Sequence, residues 1–167
     1  MRESAYLEGQ PHLVDKLRNL AVFRSFKEEQ IKELLRTSKL QIHEKGEIIF
    51  QEDSLDNQIF CLISGAVLVS KDGETIAKLR YPGDIFGEIG FLDALPRSAR
   101  VEALENTTCL TVDADYLAKM DDPCKDGFHA KVYKLLAELL AQRLRETTDL
   151  YIQLKLEQER LTRTISS

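Results

Sequence analysis

Residues 67–79 read Val67-Leu68-Val69-Ser70-Lys71-Asp72-Gly73-Glu74-Thr75-Ile76-Ala77-Lys78-Leu79. Two β-prone runs, VLVSK and ETIAKL, flank an Asp-Gly pair. That pair suits a two-residue hairpin loop, whose central positions both take positive φ. The same texture recurs outward from the hairpin. LQIHEK, EIIFQ and NQIFCLI precede it, and ARVEAL and TTCLTV follow, all rich in β-branched and aromatic residues. Gly46, Gly65 and the pair Pro82-Gly83 punctuate them. Seven or eight short strands at this spacing predict a mainly β fold with flanking helices, built as a double-stranded β-helix or jelly-roll barrel.

The flanks read as helix. Leu13, Leu17, Leu20 and Val22 lead into Phe23, and Ser25-Phe26-Lys27-Glu28 offers a capping box for a helix with Ile31, Leu34 and Leu35 on one face. After the strands, Asp113 and Asp115 suit the cap of a short helix YLAKM, and DDPCKDG breaks the chain. From Phe128 to Leu161 neither Gly nor Pro occurs, which predicts one long helix. The expected organisation is a barrel domain over residues 13–125 with a helical entry, followed by the long helix over 126–167.

Tyr133, Leu140, Thr147, Leu154 and Leu161 recur every seven residues on that helix, with Leu136 and Leu150 at a second seam offset. This spacing predicts pairing of two subunits into a homodimer. Arg143 and Glu157 interrupt the seam, and Leu135, Leu136, Leu139 and Leu144 suit docking of the helix on its own barrel.

Composition narrows the function. At 167 residues the chain can bury a core without staples, and 43% hydrophobic with 31% charged residues is ordinary for a globular domain. A net charge of −5 excludes a domain whose affinity rests on neutralising nucleic-acid phosphates. Cys61, Cys109 and Cys124 are odd in number and form no Cys-x-x-Cys pair, as in reduced thiols of a cytoplasmic protein. No secretory signal or membrane-spanning run is present in the sequence, so no membrane partner is expected.

One stretch interrupts the strands: FGEIGFLDALPRSARV, Phe86 to Val101. Gly87 permits close backbone approach, and the amides from Gly87 to Gly90 suit an anion. Glu88, acceptor-only when ionised, suits sugar hydroxyls, whereas the planar fork of Arg97 matches a phosphodiester. Ser98 adds a hydroxyl donor and Ala99 keeps the wall low. Ile89, Phe91, Leu92 and Leu95 are expected to hold the short helix against the barrel.

Together these residues closely resemble the phosphate-binding cassette of the cyclic nucleotide-binding domain family: Phe-Gly-Glu, a hydrophobic, a small residue, a spacer, then Pro-Arg-small-Ala and a strand. The resemblance extends through LAVFRSFKEEQIKELL, KGEIIF, IFCLISGAVLV and PGDIFGE, and on through RVEALENTTCLTV. Within the family, the Arg-Ser-Ala triplet and LAQRLRETTD are most similar to the catabolite activator protein branch. The resemblance implies a bound cyclic mononucleotide, cyclic AMP in preference to cyclic GMP, and no cofactor or metal. It implies that Phe86, Gly87, Glu88, Ile89, Arg97, Ser98 and Ala99 line the site. Glu88 would hold the ribose 2′-hydroxyl, and Arg97 and Ser98 the cyclic phosphate. Arg143 would reach toward Glu88, Thr147 toward the adenine amine, and Thr148 toward the partner subunit's ligand. Three positions depart from the family pattern: Ala94 and Asp53 stand where glycine is usual, and Arg100 is expected to pair with Glu102 or Glu88 or to crowd the base.

The resulting expectation is a cytoplasmic regulatory module that signals through its long helix. Two alternatives are a degenerate, non-binding dimerisation scaffold and the effector-domain fragment of a transcription regulator, since LEQERLTRTISS is too short for a helix-turn-helix domain. An enzyme is not expected, because His12, His43 and His129 have neither a His-x-His nor a His-Glu-x-x-His spacing.

Overall fold

A computed structural model describes residues 2–3, 11–115 and 125–165. The chain divides into two compact units, Met1–Lys125 and Asp126–Ser167. The first contains helix α1 (Pro11–Arg18), a 3-10 turn (Ala21–Phe23) and helix α2 (Glu28–Arg36) ahead of most of its strands. Val14 and Leu17 of α1, and Ile31, Leu34 and Leu35 of α2, are buried, as the apolar spacing requires. The cap of α2 lies two residues later than the sequence pattern suggested. Lys27 is the N-cap, and its amide donates to Gln30 Oε1 at 2.9 Å, so Gln30 closes the box that Ser25 and Glu28 seemed to offer.

Among the described residues nine strands form two antiparallel sheets. β1 (Arg2–Glu3), β2 (Ser38–His43), β4 (Gln58–Ser64), β7 (Ile85–Phe86) and β9 (Thr107–Asp113) form one, in the order β1-β2-β9-β4-β7. β3 (Ile48–Phe50), β5 (Val67–Lys71), β6 (Glu74–Leu79) and β8 (Arg100–Ala103) form the other, in the order β3-β8-β5-β6. Helix α3 (Glu88–Asp93) lies between β7 and β8. The β5–β6 hairpin turns where expected, with Asp72 at φ 51° and Gly73 at φ 82°, the double positive φ of a type I′ loop. Phe50, Val67 and Val101 from one sheet meet Phe60, Leu62, Phe86 and Cys109 from the other in a single buried cluster. That shared core joins the two sheets face to face as a jelly roll.

Cys61 and Cys109 are both buried and free. The β4–β9 register sets Cys61 opposite Leu110 and Leu62 opposite Cys109, so the two thiols point to opposite sheet faces. Burial pushes each thiol up to about 12, which keeps it protonated and unreactive. Cys124 and the YLAKM segment lie outside the described residues.

His43 is 1% exposed. Its Nε2 lies 3.3 Å from Gln41 Oε1, whereas Nδ1 has no hydrogen-bond partner among the described residues. Burial holds its pKa below the ordinary 6.5, and Glu47, 3.9 Å away, only partly opposes this. An unfolded chain therefore takes up a proton near pH 6.5 that the folded chain refuses, so the stability from neutral His43 is complete above that value and is lost as pH falls below it. The melting temperature is expected to drop from pH 7.5 to 5.5, and less steeply in His43→Gln. Equal slopes for the two proteins would assign the acid sensitivity elsewhere.

The second unit is helix α4 (Lys125–Ile165), 41 residues and about 60 Å long at the standard rise. Leu136 is buried and Leu135 and Leu139 are half-buried, but Leu144, grouped with them by sequence, is 69% exposed. From Leu144 to Thr164 every side chain is exposed. Among the described residues no helix is long and apolar enough to cross a membrane.

Candidate functional site

The FGEIGFLDALPRSARV stretch folds as the end of β7, the six-residue helix α3, a loop and the start of β8. Phe86 ends β7 in the core, its ring stacked on Phe60 at 5.1 Å. Gly87 turns the chain into α3 in the left-handed region, and a methyl group there would lie 2.8 Å from Arg97 Nη1. Within α3 only Glu88, Gly90 and Phe91 are buried. Ile89, Leu92 and Leu95, expected to pin the helix, are 42%, 38% and 60% exposed. A helix of fewer than two turns has one inward face, and Phe91 occupies it.

Ala94 ends α3 at φ 54° and ψ 25°, keeping the left-handed turn that glycine would adopt without cost. A Cβ there is strained by about 1 kcal/mol. Ala94→Gly is expected to raise the melting temperature by about 2 to 4 °C for a chain this size. A lower melting temperature would mean that this turn is not strained.

Arg97 is 1% exposed and Glu88 3%. A buried guanidinium needs acceptors, and the fold supplies them for four of its five N–H groups. Nε donates to Asp56 Oδ2 at 2.8 Å and Nη2 to Asp56 Oδ1. Nη1 donates to the Gly87 carbonyl at 2.7 Å and Nη2 to the Gln58 carbonyl at 2.5 Å. The backbone is tied to the same loop, with Arg97 N donating to Ser54 O and Asp53 N donating to Arg97 O, both at 2.9 Å. The β3–β4 loop thus grips Arg97 at main chain and side chain together. Asp53 sits at φ 60° within it, a geometry aspartate tolerates.

Arg97's side chain reaches the main chain where α3 begins. The carbonyl bound by Nη1 belongs to the link between Gly87 and Glu88, so α3's first residue and the guanidinium are immediate neighbours. Ser98 is exposed and Ala99 half-buried on the way into β8. Arg100 pairs with Glu102 at 2.5 Å, one of the two partners expected for it. Arg143, Thr147 and Thr148 lie on α4 in the other unit. Arg143 is half-buried and both threonines are exposed, with Thr148 Oγ1 donating to Leu144 O at 2.7 Å. Among the described residues no group of three or more His, Cys, Asp or Glu is placed to hold a metal ion.

Asp56 was not identified from sequence, although it is Arg97's only carboxylate partner among the described contacts. It sits 41 positions from Arg97 in a loop that also contains Glu52 and Asp53, and no local spacing separates it from them. Only the pairing of that loop with the cassette does.

Residues 40–122 match the family described as cyclic nucleotide-binding domain. The sequence is 30% identical over 112 residues to a cAMP-dependent protein kinase regulatory subunit of Debaryomyces hansenii, an overlap of 67% of this chain and 25% of that protein. It is 27% identical over 111 residues to a CRP-like cAMP-activated global transcriptional regulator of Mycobacterium tuberculosis, 63% of this chain and 46% of that one. The chain therefore spans a quarter to a half of the length of these relatives. In structure it is similar to a cyclic nucleotide-binding domain from Methylobacillus flagellatus, with a TM-score of 0.71, 25% identity and coverage of 83% and 80%. It is also similar to the catabolite activator protein of Thermus thermophilus, with a TM-score of 0.66, 30% identity and coverage of 80% and 62%. With the jelly roll, the glutamate-to-arginine cassette and these likenesses in agreement, the chain belongs, through residues 40–122, to the cyclic nucleotide-binding domain family.

Proposed function

We propose that this domain senses a cyclic mononucleotide, cyclic AMP in preference to cyclic GMP, and passes the signal to its long helix. The observation that supports this reading is that Glu88 and Arg97 are both buried, with Arg97 Nη1 bound to the carbonyl of the Gly87–Glu88 peptide. A carboxylate and a guanidinium so placed suit the two ends of one sugar-phosphate ring, the first accepting from the ribose 2′-hydroxyl and the second donating to the phosphate. Ser98 adds a donor to the phosphate, and Ile89 and Ala99 form low apolar walls. Arg143 and Thr147, four apart on one helix face, and Thr148 are assigned to the base side. Ligand binding shifts the population of α4 arrangements only as far as its affinity for them differs.

A second reading draws on the same guanidinium. Four of Arg97's five N–H groups already have internal acceptors, as a non-binding scaffold would require. Calorimetric titration with cyclic AMP, cyclic GMP and 5′-AMP separates the two. The sensor reading expects saturable heat and a rising melting temperature with the cyclic nucleotides, strongest for cyclic AMP and weak for 5′-AMP. No heat and no thermal shift with any of them leaves the scaffold.

We further propose that α4 pairs two copies of the chain. Tyr133, Leu150, Leu154 and Leu161 are 55–60% exposed along the heptad seam, and a second copy of the same stripe would cover them. Light scattering is expected to give a dimer that Leu154→Glu with Leu161→Glu converts to a monomer. A monomeric parent chain at micromolar concentration would refute the pairing.

A further inference from the structure

Arg97's hydrogen bonds all run to polar acceptors, yet the fold also places its guanidinium over an aromatic ring. The guanidinium carbon lies 4.2 Å from the centroid of Phe50 and 5.7 Å from that of Phe60. Phe50 is the last residue of β3, directly before the loop that carries Asp56. The β3–β8 register shifts between Ile48, opposite Glu102, and Phe50, opposite Val101. The shift accompanies a change from the exposed Ile48 to the buried Phe50, as a bulge re-aims a side chain. Phe50 is in turn held by Phe60 at 5.5 Å and Phe86 at 6.1 Å, so its ring is fixed by three strands.

The two kinds of contact respond differently to an anion. A phosphate approaches a guanidinium in its plane, where it competes with the Gly87 and Gln58 carbonyls for Nη1 and Nη2. It cannot compete for the face. We propose that Phe50 is the positioning residue of the site: its ring holds the plane of Arg97 while the in-plane acceptors exchange from backbone carbonyl to ligand phosphate. This rests on the cyclic-nucleotide reading above and adds a determinant of affinity outside the cassette. A cation–π contact with a desolvated face is worth enough to change affinity roughly tenfold.

The test uses the full chain and the variants Phe50→Leu, Phe50→Tyr and Phe50→Trp. Leucine keeps an apolar side chain in the core but removes the ring, whereas tyrosine and tryptophan keep an aromatic face. In the parent chain the Arg97 Nε–H nuclear magnetic resonance signal is expected to be shifted upfield by the ring and protected from exchange. It should lose that shift in Phe50→Leu and keep it in at least one aromatic variant. The Kd for cyclic AMP, measured by calorimetry, is expected to rise about tenfold in Phe50→Leu and to be rescued to within about threefold by that aromatic variant. A structural role alone would weaken binding in proportion to lost stability whether or not the ring is kept, and that pattern overturns the proposal. So does an unmoved Arg97 signal with unchanged affinity in Phe50→Leu. Absence of binding by the parent chain is a different failure, which removes the sensor reading and Phe50's role with it.

Discussion

Arg97→Ala is expected to weaken cyclic AMP binding by about 2 to 5 kcal/mol, roughly thirtyfold to a few thousandfold in Kd. The cost has two sources. The phosphate loses a charged, planar donor, and it would enter a site where Asp56 and the Gly87 and Gln58 carbonyls, formerly satisfied by Arg97, face it without a cation between them. Acceptors left unpaired and a carboxylate left near an anion both oppose binding. The variant will also be less stable, because breaking a buried ion pair leaves its partner uncompensated. Calorimetry must therefore be run where circular dichroism shows the variant folded. Arg97→Lys, which keeps the charge and loses the fork, is expected to fall between parent and alanine variant. An unchanged Kd in a folded Arg97→Ala protein would remove Arg97 from ligand recognition.

Gly65→Ala is expected to cost the fold about 2 to 4 kcal/mol, a large share of the 5 to 15 kcal/mol typical of a domain. Gly65 turns β4 into β5 at φ 96°, a conformation that strains an L-residue by about 1 to 2 kcal/mol. The added methyl would also lie 2.6 Å from Thr107 Cα and 2.7 Å from Asn106 O, and backbone at that distance must move. Movement there disturbs Thr107, whose hydroxyl accepts from Ala66 N at 3.3 Å and donates to Ala66 O at 3.1 Å. Urea unfolding is the measurement, and a shift in stability below about 0.5 kcal/mol would show that the β4–β5 turn relaxes freely.

The strands were legible wherever period and punctuation acted together. The Asp72-Gly73 turn, the apolar runs of β2, β4, β5 and β9 and the long helix stand close to where composition places them. What escaped is short or non-local. β1 and β7 are two residues each, too short to show a period of two. The Ser25 capping signal was genuine chemistry at the wrong turn, since Gln30 makes the same bond to Lys27 two residues on. α4 begins at Lys125, earlier than the last glycine suggested, because Gly127 is accommodated inside the helix.

In the site, Glu88 and Arg97, both buried, were legible as candidates from residue type and spacing. Asp56 and Phe50 were not. Each contacts Arg97 through strand pairing and loop closure across some forty residues of sequence, and a carboxylate in a loop or a phenylalanine ending a strand has nothing local to mark it. The exposed faces of Ile89, Leu92 and Leu95 teach the reverse lesson, that an apolar residue near a core is not thereby in it.

The most direct measurement is a crystal structure of the chain grown with cyclic AMP. The expected electron density has the cyclic phosphate within hydrogen-bond distance of Arg97 Nη1 or Nη2 and the ribose 2′-hydroxyl against a Glu88 carboxylate oxygen. Nucleotide bound elsewhere, with Arg97 still donating to the Gly87 and Gln58 carbonyls and Glu88 turned from the sugar, would contradict it.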